Sequence, residues 1–209
     1  MNPPMARVFI IDDDPRVRRA LGRLFRSAGR ETEAFASARD FLARLPYDGS
    51  GCVVLDVNMP EMTGPQLHEL MAQQGVGLSI VFLTGQGDVP TGVQAMKRGA
   101  VDFLTKPVDD ETLLRAVEEA IARHAATNAR RKAREAVAAR LALLSERERQ
   151  VMHHVIRGRL NKQIAAELQI ALKTVKVHRG RVMEKMACAS VAELVQACQL
   201  AGVEIAIGP

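Results

Sequence analysis

Five short runs, most of them nearly all apolar, occupy residues 7–11, 31–35, 52–55, 79–83 and 101–104. Apolar runs of that length are the pattern of strands buried on both faces of a parallel sheet. Between and after them, apolar residues recur at three- and four-residue spacing over 15–28, 38–45, 65–73, 89–98 and 110 to about 126, which predicts amphipathic helices. Five strands alternating with five helices make a (βα)5 unit of the α/β class. Right-handed crossovers leave few arrangements, and the doubly wound, flavodoxin-like order 2-1-3-4-5 is expected. It opens a crevice at the carboxyl ends of the first and third strands.

The pattern then changes. Residues 123–141, RHAATNARRKAREAVAARL, contain neither Gly nor Pro and favour helix throughout. The last helix of the α/β unit is therefore expected to run on as a linker, exposed except where Val137 and Leu141 meet a partner. Its basic side chains are either a contact face or an ordinary solvated surface. Beyond Leu144 only short helices are predicted. Ser145-Glu146-Arg147-Glu148 is a capping box, opening a helix that Gly158 ends. Asn161 is expected to cap a second helix to Leu168, and Gln169-Ile170-Ala171 form a three-residue turn. Helices over 172–186 and 191–200 follow. Two helices joined by a tight turn are a helix-turn-helix, here in an all-α four-helix domain. The expected division is 1–122, a linker at 123–141, and 142–209.

Charge sharpens this division. The net +5 hides 13 Lys and Arg against 17 Asp and Glu in residues 1–122, and 16 against 7 in residues 123–209. A basic helical domain suits double-stranded DNA through counterion release, with affinity falling steeply with salt. Aromatic content of 3% without Trp argues against stacking on single strands. Three widely separated cysteines (Cys52, Cys188, Cys198) without metal-ligand spacing read as reduced thiols of a cytoplasmic protein. The apolar stretch 8–11 is cut off by Asp12-Asp13-Asp14, which leaves no signal peptide or membrane span there, and no membrane partner is expected.

Five polar positions fall at the carboxyl ends of predicted strands: Asp12 and Asp13 after the first, Asp56 after the third, Thr84 after the fourth and Lys106 after the fifth. Singly, an Asp there is often a helix cap and a Thr merely a strand residue; their coincidence on one rim points to chemistry. Three carboxylates within a few ångströms repel one another and need a cation. A hard ion with oxygen ligands and retained waters, Mg²⁺, fits best. A carboxylate nucleophile beside Mg²⁺, a lysine and a hydroxyl is equipped for phosphoryl transfer. Asp56 is then the acceptor, Asp12 and Asp13 hold the metal, and Lys106 and Thr84 each meet a phosphoryl oxygen.

The segments FIIDDDPRVR, VLDVNMPEMTG, VFLTGQGDVPTGVQAMKRGAVDFLTKP and LSERERQVMHHVIRGRLNKQIAAEL with TVKVHR resemble those of two-component response regulators of the NarL/FixJ type. These join a receiver to a LuxR-type DNA-binding domain, and the resemblance covers nearly the whole chain. It implies a transcription regulator, itself no enzyme beyond its own phosphorylation and dephosphorylation, that takes a phosphoryl group on Asp56 from a sensor histidine kinase. Mg²⁺ would be held by Asp13, Asp56 and the Asn58 carbonyl, with Asp12 acting largely through water. Thr84 and Phe103 match a switch pair, although Phe103 reads equally well as a core ring. Lys106-Pro107 matches a peptide that is typically cis. Phosphorylation would promote a homodimer, and Val93 and Lys97 match dimerisation positions; RNA polymerase is a further candidate partner. A competing resemblance is to haloacid-dehalogenase-like phosphatases, with Asp12 as nucleophile, Asp14 as acid/base, and Thr84, Lys106 and Asp109-Asp110 in order. It departs at Arg16, where Thr or Val is usual, and leaves Asp56 and the basic domain unused.

A helical wheel places Leu172, Val175, Val182 and Met186 on one face of 172–186, to be buried. The opposite side presents Lys173, Val177, Gly180, Arg181 and Glu184, flanked by Thr174 and Lys176, with His178 close by. Lysines for guanine edges or phosphates and valine methyls for thymine suit a major groove. Two residues depart from the LuxR pattern. Ala171 replaces the usual serine N-cap, worth typically about 1 kcal/mol, and Gly180 stands where some relatives have lysine.

Overall fold

A computed structural model describes residues 6–85, 96 and 99–203 of the 209-residue chain. β1 (Arg7–Ile11), β2 (Glu31–Phe35), β3 (Gly51–Asp56), β4 (Ser79–Thr84) and β5 (Asp102–Thr105) form one parallel sheet in the order 2-1-3-4-5. β3, at the centre, is buried at all six positions. Strand alternation sorts the apolar residues to two faces. Phe9, Ile11, Val53, Leu55 and Phe82 pack under α2 (Ala38–Arg44) and α3 (Gly64–Gln73). Val8, Ile10, Val54, Val81 and Leu83 meet Leu21 and Phe25 of α1 (Pro15–Ser27) and Leu113, Val117 and Ala120 of α4 (Asp110–Ala142). The helix expected over 89–98, with Val93 and Lys97, lies outside the described residues apart from Met96.

The chain divides into two units after Asn128, within α4. That helix continues unbroken to Ala142, as an uninterrupted run of helix formers dictates. In the second unit Val137 is buried and Leu141 half-buried against α5 (Glu146–Ile156), α6 (Asn161–Glu167), α7 (Leu172–Met186) and α8 (Val191–Ala201). Two sequence expectations need correction here. Asn161 is not an N-cap: Leu160 takes that place, its N–H donating to the Gln163 carboxamide at 2.8 Å, which frees the Asn161 Oδ1 to accept from Arg179 at 2.8 Å. Leu172 is 38% exposed rather than buried, because it opens the helix and its turn projects past the core. Val175, Val182 and Met186 are fully buried.

Candidate functional site

Four strand ends converge on one edge of the sheet. Asp12 follows β1, Asp56 ends β3, Thr84 ends β4, and all three are buried. Lys106 follows β5, and its backbone N–H donates to the Thr84 carbonyl at 2.7 Å, which ties those two strand ends together. The Lys106 ammonium donates to Asp12 Oδ2 at 2.6 Å and to Asp56 Oδ1 at 2.5 Å. Burial pushes the Asp56 carboxyl above its ordinary value while Lys106 pulls against it. Burial also opposes the ammonium charge, but the two carboxylates overcome this and hold Lys106 above its ordinary value.

Backbone donors fix the remaining oxygens. Asp12 Oδ1 accepts the Asp14 N–H at 2.9 Å, and Asp56 Oδ2 accepts the Asn58 N–H at 2.8 Å. Asp14 is the N-cap of α1, accepting the Arg16 N–H at 2.7 Å. The turn after β3 closes tightly: a Cβ on Gly64 would lie 2.4 Å from the Asp56 carbonyl oxygen, so only glycine allows that approach. Lys106-Pro107 is cis, as the resemblance implies.

The sequence suggests three clustered carboxylates, and the structure pairs two of them through the lysine. Asp13 is exposed at the rim. Among the described residues no three Asp, Glu, His or Cys side chains gather closely enough to hold a metal, and the ammonium neutralises the buried pair. The donor set nevertheless suits Mg²⁺, which takes one or two carboxylates and completes its shell with water. Asp12 and Asp56 already share one cation, and Asp13 and Asn58 are exposed beside them. Phe103 is half-buried at the margin of the core, its ring 6.1 Å from that of Phe82.

The residues of the phosphatase alternative are engaged otherwise. The Asp14 carboxyl is held at about 2 by the Arg16 side chain and so retains its charge, which makes it a poor proton donor. Asp109 accepts from the Thr112 N–H and hydroxyl at 3.0 and 3.1 Å, as a helix cap does.

In the second unit α7 exposes Lys173, Thr174, Lys176, Val177, Gly180, Arg181 and Glu184 on its outer side, with Val177 46% exposed. His178 is half-buried, and its Nδ1 is buried without a hydrogen-bond partner. Ala171 caps α7 with no side-chain bond.

Three important residues were missed in the sequence. Glu148 is buried, accepting from Lys185 at 2.6 Å and from the Ser145 N–H at 2.8 Å; its capping box was visible, the lysine was not. His124 is buried, its Nδ1 accepting the Gly51 N–H at 3.1 Å. It continues the buried stripe of Leu113, Val117 and Ala120 at helical spacing, which was the available signal. Arg18 donates to the carbonyls of Asp12 and Asp13, and no sequence signal marks it.

Comparison with known proteins agrees with both halves. The response regulator receiver domain family matches residues 8–118, and the luxR family of bacterial regulatory proteins matches residues 142–198. The chain is 45% identical to nodulation protein W of Bradyrhizobium diazoefficiens over 95% of its own length and 87% of that protein's. It is 44% identical to the transcriptional regulatory protein FixJ of Azorhizobium caulinodans over 96% and 95%. Among solved structures, the response regulator StyR is similar with a TM-score of 0.86 at 42% identity, covering 93% of this chain and 98% of that one. Full-length FixJ from B. japonicum gives 0.58 at 42%, covering 97% and 100%.

Proposed function

The chain belongs to the two-component response regulators that join a receiver domain to a LuxR-type helix-turn-helix domain, and from that membership we propose how its own residues serve phosphorylation-dependent control of transcription. Asp56 accepts the phosphoryl group from a histidine kinase. The receiver takes residues 1–122, the linker 123–141 and the DNA-binding domain 142–209. The observation that supports the reading is the Lys106 ammonium shared by Asp12 and Asp56, which sets a cation directly against the Asp56 carboxylate.

An Asp56 carboxylate oxygen forms the new P–O bond as the P–N bond to the kinase imidazole breaks, and the imidazole takes a proton as it leaves. Asp13, Asp56 and the Asn58 carbonyl, with Asp12 acting through water, would hold Mg²⁺, which would supply neutralisation of the phosphoryl oxygens. Lys106 leaves its carboxylate bridge for one phosphoryl oxygen, and the Thr84 hydroxyl donates to another. Because the Lys106 N–H is bonded to the Thr84 carbonyl, the two respond together, and Phe103 follows Thr84 as the switch ring. Such a switch shifts an equilibrium only by its differential interaction with two states. The favoured state is a homodimer, through a surface that includes Val93 and Lys97. Its two α7 helices enter successive major grooves about 10 bp apart. Lys173, Thr174, Lys176, Val177, His178 and Arg181 make the DNA contacts, RNA polymerase is a partner at the promoter, and the protein works in the cytoplasm. Catalysis is confined to the protein's own phosphorylation and dephosphorylation.

Incubation with Mg²⁺ and acetyl phosphate should place one phosphate on Asp56 by tandem mass spectrometry, lost in Asp56→Asn, and raise the dimer fraction in sedimentation. Phosphate on Asp12, or none on Asp56, would overturn the reading.

A further inference from the structure

Asp12 and Asp13 sit in the short turn between β1 and α1, and the backbone of that turn has an anchor outside it. Arg18, on the first turns of α1, donates through one guanidinium nitrogen to the Asp12 carbonyl at 2.6 Å and the Asp13 carbonyl at 2.9 Å. Its side chain is half-buried and forms no ion pair among the described residues, so its charge is turned onto two backbone dipoles at the acidic rim. Arg16, two residues earlier, behaves differently: it is 83% exposed and pairs with the capping Asp14.

The two acidic residues differ in how they are held. Asp12 is fixed at every acceptor, by Asp14, Lys106 and Arg18. The Asp13 carboxylate is exposed, and the peptide after it is held at both ends, its N–H by Asp12 Oδ1 and its carbonyl by Arg18. A metal ligand on a turn is only as well placed as that turn, and partners that orient ligands typically change metal affinity 10–100-fold when removed.

We propose that Arg18 is a positioning residue for the cation site, holding the turn so that the Asp13 carboxylate faces the ion that Asp56 shares. The inference rests on the reading of Asp13 and Asp56 as Mg²⁺ ligands. Positioning and charge act with opposite sign here. A guanidinium beside a cation site repels the ion, so removing it for its charge alone strengthens Mg²⁺ binding. Removing it as an anchor weakens binding. Lysine keeps the charge but not the guanidinium, whose planar group holds the one nitrogen that here donates to both carbonyls.

The test uses the full chain as wild type, Arg18→Lys and Arg18→Gln. Mg²⁺ affinity is read by titration calorimetry, the Mg²⁺ dependence of phosphate incorporation from acetyl phosphate is measured, and each variant is melted without Mg²⁺. Both variants should bind Mg²⁺ about 10-fold more weakly. Their half-saturating Mg²⁺ should rise by the same factor, while the rate at saturating Mg²⁺ stays within about twofold of wild type. Tighter binding in Arg18→Gln with wild-type affinity in Arg18→Lys would overturn the proposal in favour of a charge effect. A lower melting temperature with unchanged Mg²⁺ affinity would overturn it in favour of a purely structural role. A wild type that binds no Mg²⁺ would refute the underlying reading of the site instead, and the inference with it.

Discussion

Replacing Glu148 by Gln removes one negative charge from the DNA-binding unit and changes little else in volume. The carboxylate is 3% exposed and its Oε2 accepts from both Lys185, at 2.6 Å, and the Ser145 backbone N–H, at 2.8 Å. A glutamine oxygen can keep the neutral bond to Ser145, so the capping box survives in part. The charge-assisted bond to Lys185 does not survive as such, and hydrogen bonds to charged groups contribute roughly 1.5–3 kcal/mol. Lys185 also reaches the Leu143 carbonyl at 3.1 Å, and its side chain is 36% exposed, so water recovers some of the loss. A destabilisation of about 2 kcal/mol is expected. For a unit of this size that lowers its Tm by roughly 10 °C. The effect carries a pH signature. The Lys185 bond, followed by the Ser145 bond, holds the Glu148 carboxyl at about 2 against an ordinary 4.5. A carboxyl depressed in the folded state binds its proton more weakly there than in the unfolded chain. Its contribution is therefore present in full above about 4.5 and fades as pH falls toward 2. Calorimetry of the full chain should show the melting transition of the helical unit displaced in Glu148→Gln at pH 7, and the displacement shrinking below pH 4. A displacement under about 2 °C at pH 7, or one undiminished at pH 2.5, would refute the assignment of this pair as a stabilising contact.

Three further substitutions probe the outer side of α7. Val177→Ala should alter preference at one base pair in a panel of single-base variants, and replacing whichever of Lys173 and Lys176 meets phosphate should weaken all sequences alike and reduce the salt slope by about one. An unchanged ranking together with unchanged slopes would remove α7 from the interface. Gly180→Ala should stabilise the protein by about 1 kcal/mol, since a Cβ there meets only open space and the helix gains a better former; an unchanged or lower Tm would show that the glycine is needed within the fold.

The sheet was legible because its inner strands β1, β3 and β4 are buried on both faces: Val53, Val54 and Leu55 advertise a central strand without any polar alternation to confuse the period. The rim was legible because each of its side chains is fixed to a strand end, whose place in the sheet follows from topology alone. What escaped depends on contacts between residues distant in sequence. Nothing local announces that Lys185 lies against Glu148, or that the Lys106 ammonium bonds to both Asp12 and Asp56. By residue type Asn161 reads as a cap, whereas the cap bond is donated by the Leu160 N–H to the Gln163 carboxamide oxygen, and Asn161 accepts from Arg179 on another helix. Leu172 satisfied the wheel, but a wheel knows the angle of a residue and not whether the neighbouring helix extends far enough to cover it.

The bond between Asn161 and Arg179 crosses from one helix of the helix-turn-helix to the middle of the other, and Glu148 grips the same second helix near its end through Lys185. Held at two points along its length, α7 arrives at a duplex as a rigid template with its angle already chosen. Little conformational freedom is left for binding to remove, which favours affinity. A reader that cannot adjust passes the adjustment to its partner. With α7 as the reading helix proposed above, operators should be sorted by how readily their sequence bends or opens its groove to meet a fixed helix, as well as by base identity.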